Sequence, residues 1–204
     1  AKSKYADGTY FDKYLANDFG PKTAKVKALF EHVFIPTAAD WAQLKEAVMT
    51  DGLYHQNRLA VAPNGSISYI NDTTASLHPI INRIEERQER KIGKIYYPAP
   101  YLSNETIPYY KSAYDTSMLK VIDTYAAAQQ HVDQGMSLTL FMRSEIPAGL
   151  YPWKKAGNNK MTTRDLSILR NYAHSKGIKS IYYIRTFTDN NGEIGVNECE
   201  SCTI

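Results

Sequence analysis

The sequence has little cysteine. Only two of its 204 residues are Cys, and both, Cys199 and Cys202, fall in the closing hexapeptide "CESCTI". That excludes the disulfide framework by which small secreted domains are held, and it suits a transient redox pair in a reducing compartment. It also argues against a structural metal. A CxxC zinc site needs a second ligand pair, no other thiol exists to supply one, and the five histidines at 32, 55, 78, 131 and 174 are scattered. Long apolar runs are missing as well. No stretch approaches the roughly eighteen residues that a membrane span requires, and the opening "AKSKYADGTYFDKY" has no apolar signal region. A soluble, cytoplasmic chain with no membrane partner is expected. Charge of one sign is also scarce: 24 Lys and Arg face 21 Asp and Glu, and the basic residues are interleaved with acids, most densely in "NRIEERQERKIGK". Nucleic acid is therefore not an expected partner. The first residue is Ala rather than Met, which reads as the mark of a processed or excised piece.

What the chain does have is an ordinary apolar content of 43% and sixteen tyrosines. "AKVKALFEHVF" and "TAADWAQLKEAVMTDGL" predict two helices. The second is opened by Thr37 with Asp40 three positions on, a capping-box spacing, and Trp41, Leu44 and Val48 share a face. "LAVA" predicts a strand that breaks at Pro-Asn-Gly before "SISYI" starts a new element. "HPIINRIEERQER" places Ile80, Ile81 and Ile84 at helical spacing, and "KIYYPAPYLSNETIPYY", with its prolines, predicts irregular structure. In the last third, "MLKVIDTYAAAQQHVDQG" is a helix with Gly135 as its stop. "SLTLFM" is then a strand, "TTRDLSILRNYAHSKG" a helix from Thr162 or Thr163 to Gly177, and "SIYYIRTF" a strand. That order is a crossover unit with parallel strands, in an α/β fold. Beyond Thr186 the polar "TDNNGEIGVNECESCTI" has no periodic apolar face and predicts a mobile arm.

Three features could carry chemistry. The thirteen residues from Thr186 to Cys199 span at most about 45 Å extended and roughly 20 Å as a coil, so the arm could carry a dithiol into a pocket and back out. The alternative is two incidental tail cysteines. In "APNGSIS", Gly65 allows close backbone approach, and Ser66 and Ser68 add hydroxyls and amides, the components of an anion cradle if a helix starts there. Pro-Asn-Gly is a common turn, and taken alone the plain turn is the favoured reading. Tyr182 and Tyr183 are adjacent in a strand, where successive side chains face opposite ways and tyrosine is favoured without any special role.

Read together, "APNGSISYINDTTASLHPI", "KIGKIYYPAPYLSNETIPYY", "VIDTYAAAQQHVDQGMSLTLF", "MTTRDLSILRNYAHSKGIKSIYYIRTFTD" and "CESCTI" resemble the C-terminal part of the large, catalytic subunit of class Ib ribonucleotide reductase. The resemblance implies the later strands and helices of a ten-stranded α/β barrel over residues 1–186, with residues 187–204 as a flexible redox tail. It also implies radical reduction of ribonucleoside diphosphates to deoxyribonucleoside diphosphates. Pro63, Asn64, Gly65, Ser66 and Ile67 fall where the family binds the substrate diphosphate; the family usually has Thr at the position of Asn64. Tyr182 and Tyr183 match the radical-relay pair, which requires the two rings to lie close together and hence a local departure from strand geometry. Cys199 and Cys202 match the shuttle thiols that reduce the active-site disulfide and are re-reduced by a glutaredoxin- or thioredoxin-like protein.

The same resemblance implies that the thiyl cysteine and its redox partners lie upstream, outside this sequence. The chain would then work only with an N-terminal part of the large subunit and a small subunit carrying a dimetal-tyrosyl radical centre, with no cofactor of its own. A non-catalytic remnant holding nucleotide or partner, and a stand-alone dithiol carrier, are the competing readings.

Overall fold

The computed structural model describes residues 4–16, 20–55, 57–89, 93–155 and 157–187. The chain divides into two compact units, residues 1–58 and residues 59 onward, a division that composition did not mark.

The first unit holds α1 (Thr9–Ala16), α2 (Ala24–Leu29) and α3 (Ala38–Asp51). Helix α3 starts as its sequence dictates. The Thr37 hydroxyl accepts the Asp40 amide at 3.3 Å and the Asp40 carboxylate accepts the Thr37 amide at 2.7 Å, a reciprocal capping box. Val48 is buried and Trp41 half-buried, whereas Leu44 stays exposed. Phe11 and Tyr14 of α1 pack on Trp41, the Tyr14 and Trp41 rings stacking 4.2 Å apart. The approach is close at Gly8, whose φ is +80° and where a Cβ would come within 2.9 Å of the Met49 sulfur. The segment "AKVKALFEHVF" is helical only through Leu29.

The second unit is built on a parallel pair, β3 (Thr139–Arg143) and β4 (Tyr183–Phe187), joined through α6 (Thr163–Ser175). This is the predicted crossover, in register from Thr139 opposite Tyr183 to Arg143 opposite Phe187. Residues 139–142 of β3 are buried on both faces, as a strand covered on two sides must be. One face of α5 (Met118–Gln129) closes the core with Met118, Val121, Ile122 and Tyr125, the 3.6-residue stripe of an amphipathic helix. Leu169 and Ala173 of α6 meet the same core. Thr162 and Asp165 form a second capping box, and Gly177 takes the left-handed conformation just past the end of α6.

Four expectations are corrected. Helix α5 stops at Gln129 rather than at Gly135, because the buried Gln129 side-chain amide donates to the Val132 and Gln134 carbonyls and holds the following turn. Gly135 instead admits Ser180, whose hydroxyl would lie 2.5 Å from any Cβ there. "HPIINRIEERQER" is not helical anywhere among its described residues. It becomes β1 (Ile84–Glu89), antiparallel to β2 (Gly93–Pro98), so the segment expected to be irregular begins as a strand. Only one isoleucine of the supposed helical stripe falls in β1, and the aromatic "KIYYP" offers it an edge, so cross-strand pairing overrides the local pattern. "LAVA" contributes a single parallel bridge, Val61 to Met136, rather than a strand. The structure is mixed α/β, and among the described residues no barrel closes. Among the same residues no helix is long and apolar enough to cross a membrane.

Candidate functional site

The Pro-Asn-Gly loop is anchored at its leading edge. The Gln134 and Ser137 amides donate to the Leu59 and Val61 carbonyls, and the Asp133 carboxylate accepts the Leu59 amide at 2.8 Å. After Val61 the chain leaves this pairing, passes Pro63 and Asn64, and enters the short helix α4 (Gly65–Ile70). A helix does start where an anion cradle requires one. Its first amides, those of Gly65, Ser66 and Ile67, have no acceptor within the helix, and the Asn64 side chain does not cap them. Pro63, Asn64, Ser66 and Ile67 are exposed. Ser68, by contrast, is buried and spends its hydroxyl on the Gly65 carbonyl at 2.6 Å, so it is not part of an open cradle.

The other side of α4 is clamped to the β1–β2 pair. The Tyr69 hydroxyl donates to Glu85 at 2.7 Å, and the Tyr69 ring stacks on Tyr97 at 4.2 Å. Between them and the 72–82 segment lies a cleft of about 220 Å³, with Ser76, His78 and Glu85 on its wall. His78 donates from Nδ1 to the Pro79 carbonyl at 2.7 Å and meets the Phe141 ring edge-on. Burial holds its pKa below the usual histidine value; the Pro79 carbonyl opposes this and the Arg185 charge adds to it.

The tyrosine pair sits at the entry to β4. The Tyr182 amide donates to the Leu138 carbonyl at 2.7 Å, but regular pairing begins only at Tyr183. Because Tyr182 precedes the ladder, the two side chains do not take the opposite faces that ideal strand alternation demands. Their ring centroids are 4.2 Å apart at an interplanar angle of 61°. The loop and the pair are thereby hung on one stretch of backbone, residues 134–138. Cys199 and Cys202 lie outside the described residues. Among those described, no group of three or more His, Cys, Asp or Glu side chains gathers.

Two residues escaped sequence reasoning. Arg185 follows Tyr183 by two positions, so both are half-buried on the same face of β4, and its guanidinium carbon lies 5.8 Å from the Tyr183 ring centroid. The spacing alone could have flagged it. Tyr114 packs against Phe141 at 5.2 Å and Phe187 at 5.5 Å. Burial pushes its phenol up, and the Arg185 charge partly offsets that. No pattern in the sequence marks Tyr114, because it is placed by a 3-10 turn, Ala113–Asp115.

The long connection between β3 and α6 is also ordered by a few groups. Asp165, 3% exposed, accepts the Trp153 indole N–H at 2.8 Å, the Thr162 amide at 2.8 Å and hydroxyl at 2.6 Å, and pairs with Lys154 at 2.7 Å. Burial alone would raise its pKa; Lys154, Thr162 and Trp153 together overcome this and hold it at about 2.

Comparison with known proteins gives the chain's family. Residues 1–184 match the family described as ribonucleotide reductase, barrel domain. The ribonucleoside-diphosphate reductase subunit alpha of Bacillus subtilis (strain 168) is 46% identical over 202 residues, 99% of this chain and 26% of that protein. The subunit alpha of Mycoplasma genitalium is 44% identical over 99% of this chain and 28% of its own length. That of Helicobacter pylori is 33% identical over 86% of this chain and 20% of its own. The chain thus spans about a quarter of the length of these relatives. It belongs to the ribonucleotide reductase barrel-domain family.

Proposed function

We propose that the chain is the C-terminal part of a class Ib ribonucleotide reductase large subunit, contributing to the reduction of ribonucleoside diphosphates in the cytoplasm. The observation that carries this reading is the tyrosine pair, whose rings at 4.2 Å are near enough for a radical to pass between them. The amides of Gly65, Ser66 and Ile67, with Pro63 and Asn64 shaping the approach, hold the substrate diphosphate, since N–H groups with no acceptor inside their helix suit an anion. An Asn in place of the usual Thr at position 64 is tolerated because the amides do the holding. Tyr182 and Tyr183 relay the radical between the small subunit and a cysteine upstream of this sequence. Each hop moves one electron and one proton, so both rings are neutral before and after. Cys199 and Cys202 reduce the active-site disulfide by thiolate attack and leave as a disulfide, which a glutaredoxin- or thioredoxin-like protein reduces again. The dimetal-tyrosyl centre belongs to the small subunit and supplies the initial oxidant.

The test is reconstitution. The chain is joined with the N-terminal part and the small subunit, and reduction of a ribonucleoside diphosphate is assayed. Activity is expected, and Cys199→Ser should abolish turnover with a protein reductant while a pre-reduced enzyme completes one turnover. No activity in any combination would favour a non-catalytic remnant. Loss of even the first turnover in Cys199→Ser would remove the shuttle role.

A further inference from the structure

Two guanidinium groups lie on the face of the β3–β4 pair that carries Tyr183, and they are treated differently. Arg143 is neutralised by the Asp115 carboxylate at 2.5 Å and rests on the Phe187 ring at 5.2 Å. Arg185 has no carboxylate partner among the described residues. Its surroundings are the Tyr183 ring at 5.8 Å, with Tyr114 and His78 near enough to feel its charge. His78, held toward its neutral form, adds no second positive charge there. A half-buried cation that faces an aromatic ring is stabilised by that ring's electron density, and a guanidinium also stacks on it.

We infer that Arg185 is a positioning and tuning residue for the tyrosine pair. It holds the Tyr183 ring toward Tyr182 and prevents the ring from losing an electron ahead of its proton. The inference rests on the relay reading of Tyr182 and Tyr183. The step across the pair is a hydrogen-atom exchange, in which one tyrosyl radical and one phenol become one phenol and one tyrosyl radical. One electron and one proton leave the donor hydroxyl together, and the total charge does not change. If the electron went first, the donor would become a phenol radical cation directly beside the Arg185 charge, a like-charge contact in a partly desolvated setting. The neutral radical carries no such penalty. Arg185 therefore selects the coupled route, and it does so without touching substrate.

The experiment uses the reconstituted enzyme. Arg185→Gln removes the charge but keeps a planar polar group, and Arg185→Lys keeps the charge on a compact head. Loss of the ring contact is expected to lower kcat about tenfold in Arg185→Gln with KM unchanged, and Arg185→Lys should recover part of that loss. The solvent deuterium effect on kcat should shrink in Arg185→Gln, because electron and proton are no longer obliged to move together. An unchanged kcat in Arg185→Gln would overturn the inference. So would a Lys variant as slow as Gln, or a rise in KM at constant kcat, which would make the guanidinium a substrate contact. Should Arg185→Gln fail to assemble, a folded Arg185→Lys enzyme decides alone: a wild-type solvent isotope effect beside a partly lowered kcat supports the role of the charge, and an isotope effect that shrinks although the charge is kept refutes it. Tyr182→Phe and Tyr183→Phe keep the two levels apart. Full activity in either Phe variant sinks the relay itself, whereas inactive Phe variants beside a normal Arg185→Gln sink only the role of Arg185.

Discussion

Replacing Asp165 with Asn should destabilise the chain by about 3 kcal/mol at neutral pH, for two reasons that can be separated by acid. The first is linkage. A carboxyl whose pKa falls from the ordinary 3.8 to about 2 on folding stabilises the folded state by about 2 to 3 kcal/mol wherever it is ionised in both states. Since the folded value is the lower one, that stability is present above about pH 4 and is lost as the pH falls toward 2. The second reason is the partner left behind. The Lys154 ammonium, with its side chain 10% exposed, would keep only the Lys160 carbonyl at 2.8 Å, and an amide N–H would face the Thr162 N–H if the Asn oxygen stays on Trp153. A loss of about 3 kcal/mol lowers the melting temperature by roughly 6 to 12 °C in a chain of this size. Urea unfolding followed by tryptophan fluorescence reads it, because Trp153 donates to this carboxylate. The wild type should lose stability between pH 4 and pH 2 more steeply than Asp165→Asn. A variant within 0.5 kcal/mol of wild type, or one that keeps the full acid slope, would refute the reasoning.

Two further outcomes are expected. Gly135→Ala should cost about 1 to 3 kcal/mol by urea titration, since its Cβ meets the Ser180 hydroxyl at 2.5 Å, and Ser180→Gly in the same chain should restore most of the loss. His78, whose folded pKa is depressed chiefly by burial, should make the unfolded chain the better proton binder below about pH 6.5, so stability should rise with pH through that window. Replacing His78 with Gln should flatten that rise.

The crossover unit was legible because each of its elements is strongly periodic and punctuated: Thr162 with Asp165 opens α6, Gly177 closes it, and Leu140 and Phe141 lie in a run that only a buried strand explains. The β1–β2 pair was not, because "IEERQE" has no apolar alternation and its pairing partner is a separate segment that starts at Gly93. Gly135 was read as a helix stop, which a glycine after a helical run commonly is, when its use is to admit a residue 45 positions on. The site was legible in parts. The break at Pro-Asn-Gly was legible, but the helix that opens at Gly65 was only a condition of the cradle, and the closeness of the Tyr182 and Tyr183 rings depends on where the ladder with β3 begins. Tyr114 could not be found locally, since only tertiary packing brings it to Phe187.

The shared anchorage at residues 134–138 has a consequence for how this part of the chain tolerates change. Its amides hold the segment that feeds the Pro-Asn-Gly loop, its Leu138 carbonyl holds Tyr182, and the Gln129 amide splints the turn that leads into it. A single inserted or deleted residue between Gln129 and Leu138 would slip the loop and the tyrosines out of phase with each other while leaving every named side chain in the protein. That short stretch acts as a spacer whose length is itself a functional quantity, and natural variation in length should be found in the outlying connections instead.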